Sequence, residues 1–172
     1  MKNTSVRETL SSFRMPAYRE IPDVGLYLDQ VVKYINGCFA DFPEMKITSS
    51  MVSNYVKMKI ISSPHKKTYS RDQIAALLFI VIAKTVLSMD HIRICLTMKD
   101  SFSSNEDAYS TFAARLKEVL SHMEEGTDLK SAGGSEQEQA LDHIVITAAH
   151  KMFLERYFEN MEQEAEKKEQ DA

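Results

Sequence analysis

Six basic side chains, Lys46, Lys57, Lys59, Lys66, Lys67 and Arg71, fall between positions 46 and 71 with no Asp or Glu among them. A local charge of +6 in a 172-residue chain whose net charge is -4 is the asymmetry a nucleic-acid surface needs. Each phosphate such a surface neutralises releases condensed counterions, which drives association. Within this window Ser49, Ser50, Ser53, Asn54 and Lys57 stand apart from Val52, Tyr55 and Val56, which recur at i, i+3, i+4. Small outward residues let a helix sit deep in a major groove, Asn pairs bidentately with adenine, and Ser bonds base edges or phosphates. The helix N-terminus attracts phosphate through its unpaired N–H groups. Lys57, Lys59, His65, Lys66 and Lys67 would then position the phosphate backbone. A solvated loop with clustered charge is the plainer account of the same stretch, and the absence of carboxylates favours a phosphate-facing surface over it.

Other chemistries find little footing. His65, His91, His122, His143 and His150 form no HExxH, no His/Cys quartet and no Glu-x-x-His pair. His143 and His150 are seven apart, about 10 Å along a helix and too far for one ion. No GxSxG, Walker A or GxGxxG run occurs, so the reading is a binding protein without catalysis, cofactor or metal. Cys38 and Cys95 lie in apolar helical patterns with no CxxC spacing, which fits a reducing cytoplasm and small buried hydrophobes. Residues 1–15 are Ser/Thr-rich and lack a signal-peptide h-region, and are expected to form a mobile arm or a leader strand. The longest apolar run, Ile74 to Ala83, is about half the ~20 residues a membrane span requires.

The elements that must hold the basic window are helical. Five Gly and four Pro are too few for a sandwich or barrel needing a turn every ~8 to 12 residues. Val24, Tyr27, Leu28, Val31, Ile35, Cys38 and Phe39 predict a first helix ending near Asp41. Thr48 caps a second through about Lys57. Pro64 excludes helix from Ile60 to Tyr69, leaving a loop or small hairpin. Ser70 with Gln73 is a capping box opening a central, all-apolar helix, and Ser88 caps a fourth through about Met98. Ser104 caps a fifth, Gly126 to Gly134 is a linker, and Ser135 with Glu138 opens the last. Its charged end, from Glu162, is expected to fray. In the last helix Leu141, Ile144, Val145, Ala148 and Met152 make one stripe, while Ile146, Phe153, Leu154, Tyr157, Phe158 and Met161 are surplus to it. They either pack within the fold, against the fifth helix, or pair two copies, of which dimerisation is the favoured reading.

This order resembles the DNA-binding half of MerR-type regulators, a winged helix-turn-helix, over residues 48–96: Tyr55, Ile60-Ile61, Pro64, Lys67-Thr68-Tyr69 and the helix opening at Ser70. Over a longer span, from Tyr18 to Leu96 and including the opening Ile21-Pro22-Asp23-Val24-Gly25, the chain resembles the YkrK-like proteins, a bacterial family of unassigned function. The resemblance implies that Lys67 is the wing cation and Tyr69 the aromatic packed beneath the wing. Two departures stand out. Ser53 occupies the place of a usual recognition-helix Arg, which removes one strong phosphate or base contact, and Lys59 occupies the place of a usual Gly.

The expectation is therefore an all-α chain: an arm at 1–19, a MerR-like winged helix-turn-helix at 20–100, a helical hairpin at 101–165 and a charged tail at 166–172. It would act as a cytoplasmic, homodimeric, sequence-specific binder of double-stranded DNA. The alternative is a helical adaptor whose last helix docks a protein partner while the basic stretch does nothing.

Overall fold

The computed structural model describes residues 6–125 and 133–170. Among them are seven α-helices, α1 (Val6–Ser12), α2 (Leu28–Cys38), α3 (Ser49–Lys57), α4 (Arg71–Ala83), α5 (Met89–Thr97), α6 (Asn105–Glu125) and α7 (Glu136–Gln170). One small sheet pairs β1 (Leu26–Tyr27) with β2 (Thr68–Tyr69).

Local chemistry sets most boundaries. The Thr48 and Ser88 hydroxyls accept from the N–H groups of Met51 and His91, and Ser70 and Gln73 satisfy one another reciprocally as a capping box. Ser104 accepts from Asp107, and Ser135 pairs with Glu138 in a second box. The glycine-rich linker falls largely on residues 126–132, outside those described.

α4 is the hub. Eight of its residues, from Ile74 to Ala83, are buried, and it packs against α2, α5, α6 and α7. A helix apolar on all sides has no solvent face to offer and is stable only when other elements surround it. On one side lie α2, α3 and the two-stranded sheet; on the other, α6 and α7 run against each other and against α1.

Three expectations need correction. Residues 6–12 are a helix rather than part of an arm: Leu10 and Met15 are buried, and Phe13 stacks on Phe39 at 5.6 Å and edges Phe42 at 5.1 Å. The first long helix begins at Leu28, not Val24, because Gly25 takes a positive φ of 74° that turns the chain into β1. A Cβ at Gly25 would lie 3.1 Å from the Thr68 hydroxyl oxygen, so the close approach of the two strands also demands glycine there. Finally, the charged end of α7 stays helical to Gln170.

Tyrosines fasten the segment after α1 to this body. The Tyr18 hydroxyl donates to Asp72 while the Arg71 guanidinium lies 5.5 Å over its ring, and the Tyr109 hydroxyl donates to the Pro16 carbonyl at 2.8 Å. Burial, then the hydrogen bond and charge of Asp72, push Tyr18 from 10.0 up to about 12. Burial, then Cys38, does the same to Tyr34, and burial also raises Tyr109. A phenol whose folded pKa exceeds its unfolded value stabilises the fold below pH 10 and loses that contribution as pH climbs from 10 through 12. Thermal melts should therefore fall steeply across that window, and Tyr18→Phe should flatten the slope; a melting temperature as pH-independent there as at neutrality would contradict the arrangement.

Candidate nucleic-acid interface

Asn36 ties down the end of the segment between α2 and α3. Asn36 donates its amide to the Ile47 carbonyl at 3.0 Å and accepts the Ile47 N–H at 2.9 Å, satisfying both backbone groups where the chain enters α3. Val52 and Tyr55 are buried against the core, burial raising the Tyr55 phenol's pKa. The opposite face of α3 carries Ser50, Ser53, Asn54 and Lys57, all exposed and spaced i, i+3, i+4, i+7.

Ser49 does not join that face. It is half-buried and donates to the Asp29 carboxylate at 3.1 Å, which also sets a negative charge beside the first turn of α3. Asn54 is exposed but directs its amide at the Met58 sulfur, 3.4 Å away.

α3 stops in a left-handed cap. The Ile60 N–H donates to the Tyr55 carbonyl and the Lys59 N–H to the Val56 carbonyl, each at 2.9 Å, which is the Schellman pair. Lys59 is the residue that turns, at φ 56°. The position ordinarily suits glycine because a side chain there costs about 1 to 2 kcal/mol. Arg93, on α5, donates to the Met58 carbonyl at 3.0 Å and is ion-paired with Asp90 at 3.2 Å, so the cation it brings to this end of α3 is already partnered. Sequence reading missed it, since nothing in the spacing of Arg93 announces a contact 35 residues away.

From Ile60 the chain runs to a tight hairpin. His65 and Thr68 exchange backbone hydrogen bonds at 3.0 and 2.9 Å around Lys66 and Lys67, whose φ values are 46° and 67°. Positive φ at both central residues is the type I′ hairpin turn, normally built from Asn and Gly. Here both places hold lysine, exposed along with His65. The stem continues as β2, with Thr68 opposite Tyr27 and Tyr69 opposite Leu26. Tyr69 is 4% exposed, its pKa raised by that burial, so it packs inward from the hairpin stem and leaves little surface for any ligand. Gln73 brings its side-chain amide within 2.8 to 3.3 Å of Ser62 and Ser63 oxygens, tying the start of the hairpin to α4.

The structure therefore sorts the window into an exposed α3 face, a cationic helix end and a cationic hairpin tip. It withdraws Arg71, which is ion-paired with Asp23 at 3.2 Å and donates to the Ile21 carbonyl at 2.7 Å. Among the described residues no three His, Cys, Asp or Glu side chains are grouped as a metal site requires, and none of the helices is long and apolar enough to cross a membrane. Cys38 and Cys95 are half-buried free thiols, their pKa values raised chiefly by burial.

A family model matches residues 16–129, more than half of the chain. The chain belongs to that family, Domain of unknown function (DUF1836). The match spans everything from Tyr18 through α6 and beyond it to 129, and so takes in both the α3 face and the hairpin tip. It carries neither the YkrK-like nor the MerR-type name. No curated protein and no solved structure matches the chain.

The three lysines at positive φ are the only non-glycine residues in that conformation among those described. Lys59→Gly should relieve one of them and raise stability by about 1 kcal/mol, a melting-point gain of roughly 2 to 4 °C. Calorimetry reads this directly, and a loss of stability would mean the lysine stem makes contacts that outweigh its backbone cost.

Proposed function

We propose that this DUF1836 protein binds double-stranded DNA through a MerR-like winged helix-turn-helix at residues 20–100 and acts as a bacterial transcriptional regulator. The observation that carries the proposal is the hairpin tip: two lysines occupy the I′ positions that Asn and Gly would fill with less strain. Cations held at a conformational cost on an exposed tip, beside a stretch free of carboxylates, are placed for phosphate. The α3 face of Ser50, Ser53, Asn54 and Lys57 is the groove-facing surface in this reading, with Lys59, His65 and Arg93 flanking it. Ser49 and Tyr69 act as supports. Selection of bound duplexes from genomic fragments by the purified protein, repeated with wing variants, is the test; failure to retain any duplex at low salt would reject the proposal.

A second observation bears on assembly. The stripe Ile144, Val145, Ala148 and Met152 is buried on the protein's own core, yet Leu154, Tyr157, Phe158 and Met161 are 43 to 57% exposed. Tyr157 and Phe158 pack edge to face with each other, at 5.4 Å. Four large apolar side chains on one helix end are more than an isolated monomer ordinarily leaves in water. In our reading the second half of α7 pairs two copies, giving a reader for two half-sites about 34 Å apart. Light scattering at tens of micromolar should report a dimer that Phe158→Glu with Leu154→Glu dissociates while helicity persists. A monomeric wild-type protein would instead leave this surface to a different partner, as an adaptor would use it.

A further inference from the structure

A cavity of about 270 Å³ lies where α4, α5 and α6 meet the first turns of α7, and its floor reaches the start of the wing at Ile60, Ile61 and Ser62. Its walls are apolar, with Phe79 and Phe112 in edge-to-face contact at 5.2 Å and Leu96 and Leu141 beside them. Besides the Tyr109 hydroxyl, which is bonded to Pro16, the polar side chains are few: Ser62 and Gln73, bonded to each other, Asn105 and Asp72, likewise bonded, and Gln137. We infer that this cavity binds a small, uncharged, largely apolar molecule with one hydrogen-bonding end, and that its occupancy stiffens the wing.

Size and charge select that occupant. The volume is close to the lower end for small-molecule sites and too small for a helix. Among the described lining residues there is no Lys, Arg or His, so an anion would be buried without a counter-charge. The one carboxylate, Asp72, already accepts from the Tyr18 hydroxyl and from the Asn105 amide at 2.9 Å, so it does not call for a cation. Asn105, Gln73 and Ser62 already bond within the protein, so a ligand's carbonyl, amide or hydroxyl is left to Gln137 and to the hydrogen-bonding capacity those three have to spare.

The link to the wing is Gln73. The same side chain lines the cavity, closes the α4 capping box and holds the Ser62 and Ser63 oxygens. A ligand packed on Ile60 and Ile61 adds interactions that exist only while the stem is docked, and so opposes its opening by mass action. What the wing is for rests on the DNA-binding reading, but occupancy and wing opening are both measurable without DNA.

The probe is N-phenylnaphthylamine, an uncharged fluorophore that brightens in apolar surroundings, with benzamide as competitor. The expected result is one probe per chain, displaced by benzamide, and weakened about tenfold or more by Ala108→Trp, which fills the cavity from α6. At tenfold excess over its dissociation constant, amide exchange at His65 and Thr68 should slow by about tenfold. Probe binding untouched by Ala108→Trp but lost on Phe158→Glu would assign it to the α7 surface and overturn the site. Should Ala108→Trp misfold, Ala76→Phe fills the same space from α4. Unchanged exchange at the wing on saturation would overturn the coupling. Duplex affinity measured without probe tests the DNA reading alone.

Discussion

Arg115→Ala is expected to destabilise the protein by about 3 to 5 kcal/mol, lowering the melting temperature by roughly 6 to 20 °C. Arg115 on α6 and Asp142 on α7 are each 8% exposed at the side chain and meet fork to fork, Nε to Oδ1 at 2.6 Å and Nη2 to Oδ2 at 3.3 Å. Removing the guanidinium takes from the buried carboxylate its bidentate partner, so much of what offsets its desolvation is lost. Glu118, a further partner of Arg115 at 2.6 Å, is half in water and loses far less. Asp142→Ala should cost a similar amount for the mirror reason. The double replacement Arg115→Met with Asp142→Leu separates the cost of breaking the pair from the benefit of having it. An apolar contact of similar volume should recover most of the loss, since a buried ion pair stabilises little relative to a hydrophobic one. Single variants as stable as the wild type would show that the pair is not buried in solution.

This pair also illustrates what the sequence conceals. Arg115 lies three residues after Phe112 and four before Val119, squarely on the apolar face of α6, and Asp142 sits beside Leu141 on that of α7. A charged residue at a core position is a visible anomaly in each helix, but its partner 27 residues away is not. Caps behave oppositely. Thr48, Ser70, Ser88, Ser104 and Ser135 bond groups three residues along, so their chemistry is complete within a short window and the helix starts could be read from it. α1 escaped notice because seven residues carry too little periodicity to separate from a Ser/Thr-rich leader. Val24 and Tyr27 look like members of a helical face, yet they are 83% and 58% exposed, since the turn at Gly25 takes them out of register with α2. In the candidate site, the lysines were legible as charge. That Lys59, Lys66 and Lys67 bend the backbone could not be read, because residues that favour positive φ are the signal for such turns and none stands at these positions.

Lys66→Glu with Lys67→Glu should weaken duplex binding by about 30-fold or more at 0.15 M salt. Loss of two lysine–phosphate pairs, each contributing about 0.9 to the salt exponent, accounts for that factor before any repulsion from the new carboxylates. The weakening should be alike for all sequences, and the slope of log affinity against log salt should flatten by about two. Asn54→Ala makes the contrast: it should narrow the preference among sequences by ~1 to 3 kcal/mol and leave the salt slope alone. Charge reversal by itself could act through misfolding, so the decisive variant is Lys66→Asn with Lys67→Gly. Asn and Gly fit the I′ turn, and this pair should raise stability by about 1 to 2 kcal/mol while still weakening DNA binding. Opposite signs in one protein would show that the tip gives up folding stability to hold two cations. If the stabilised variant binds duplex DNA as tightly as the wild type, the lysines do not touch phosphate and the wing is not a nucleic-acid contact.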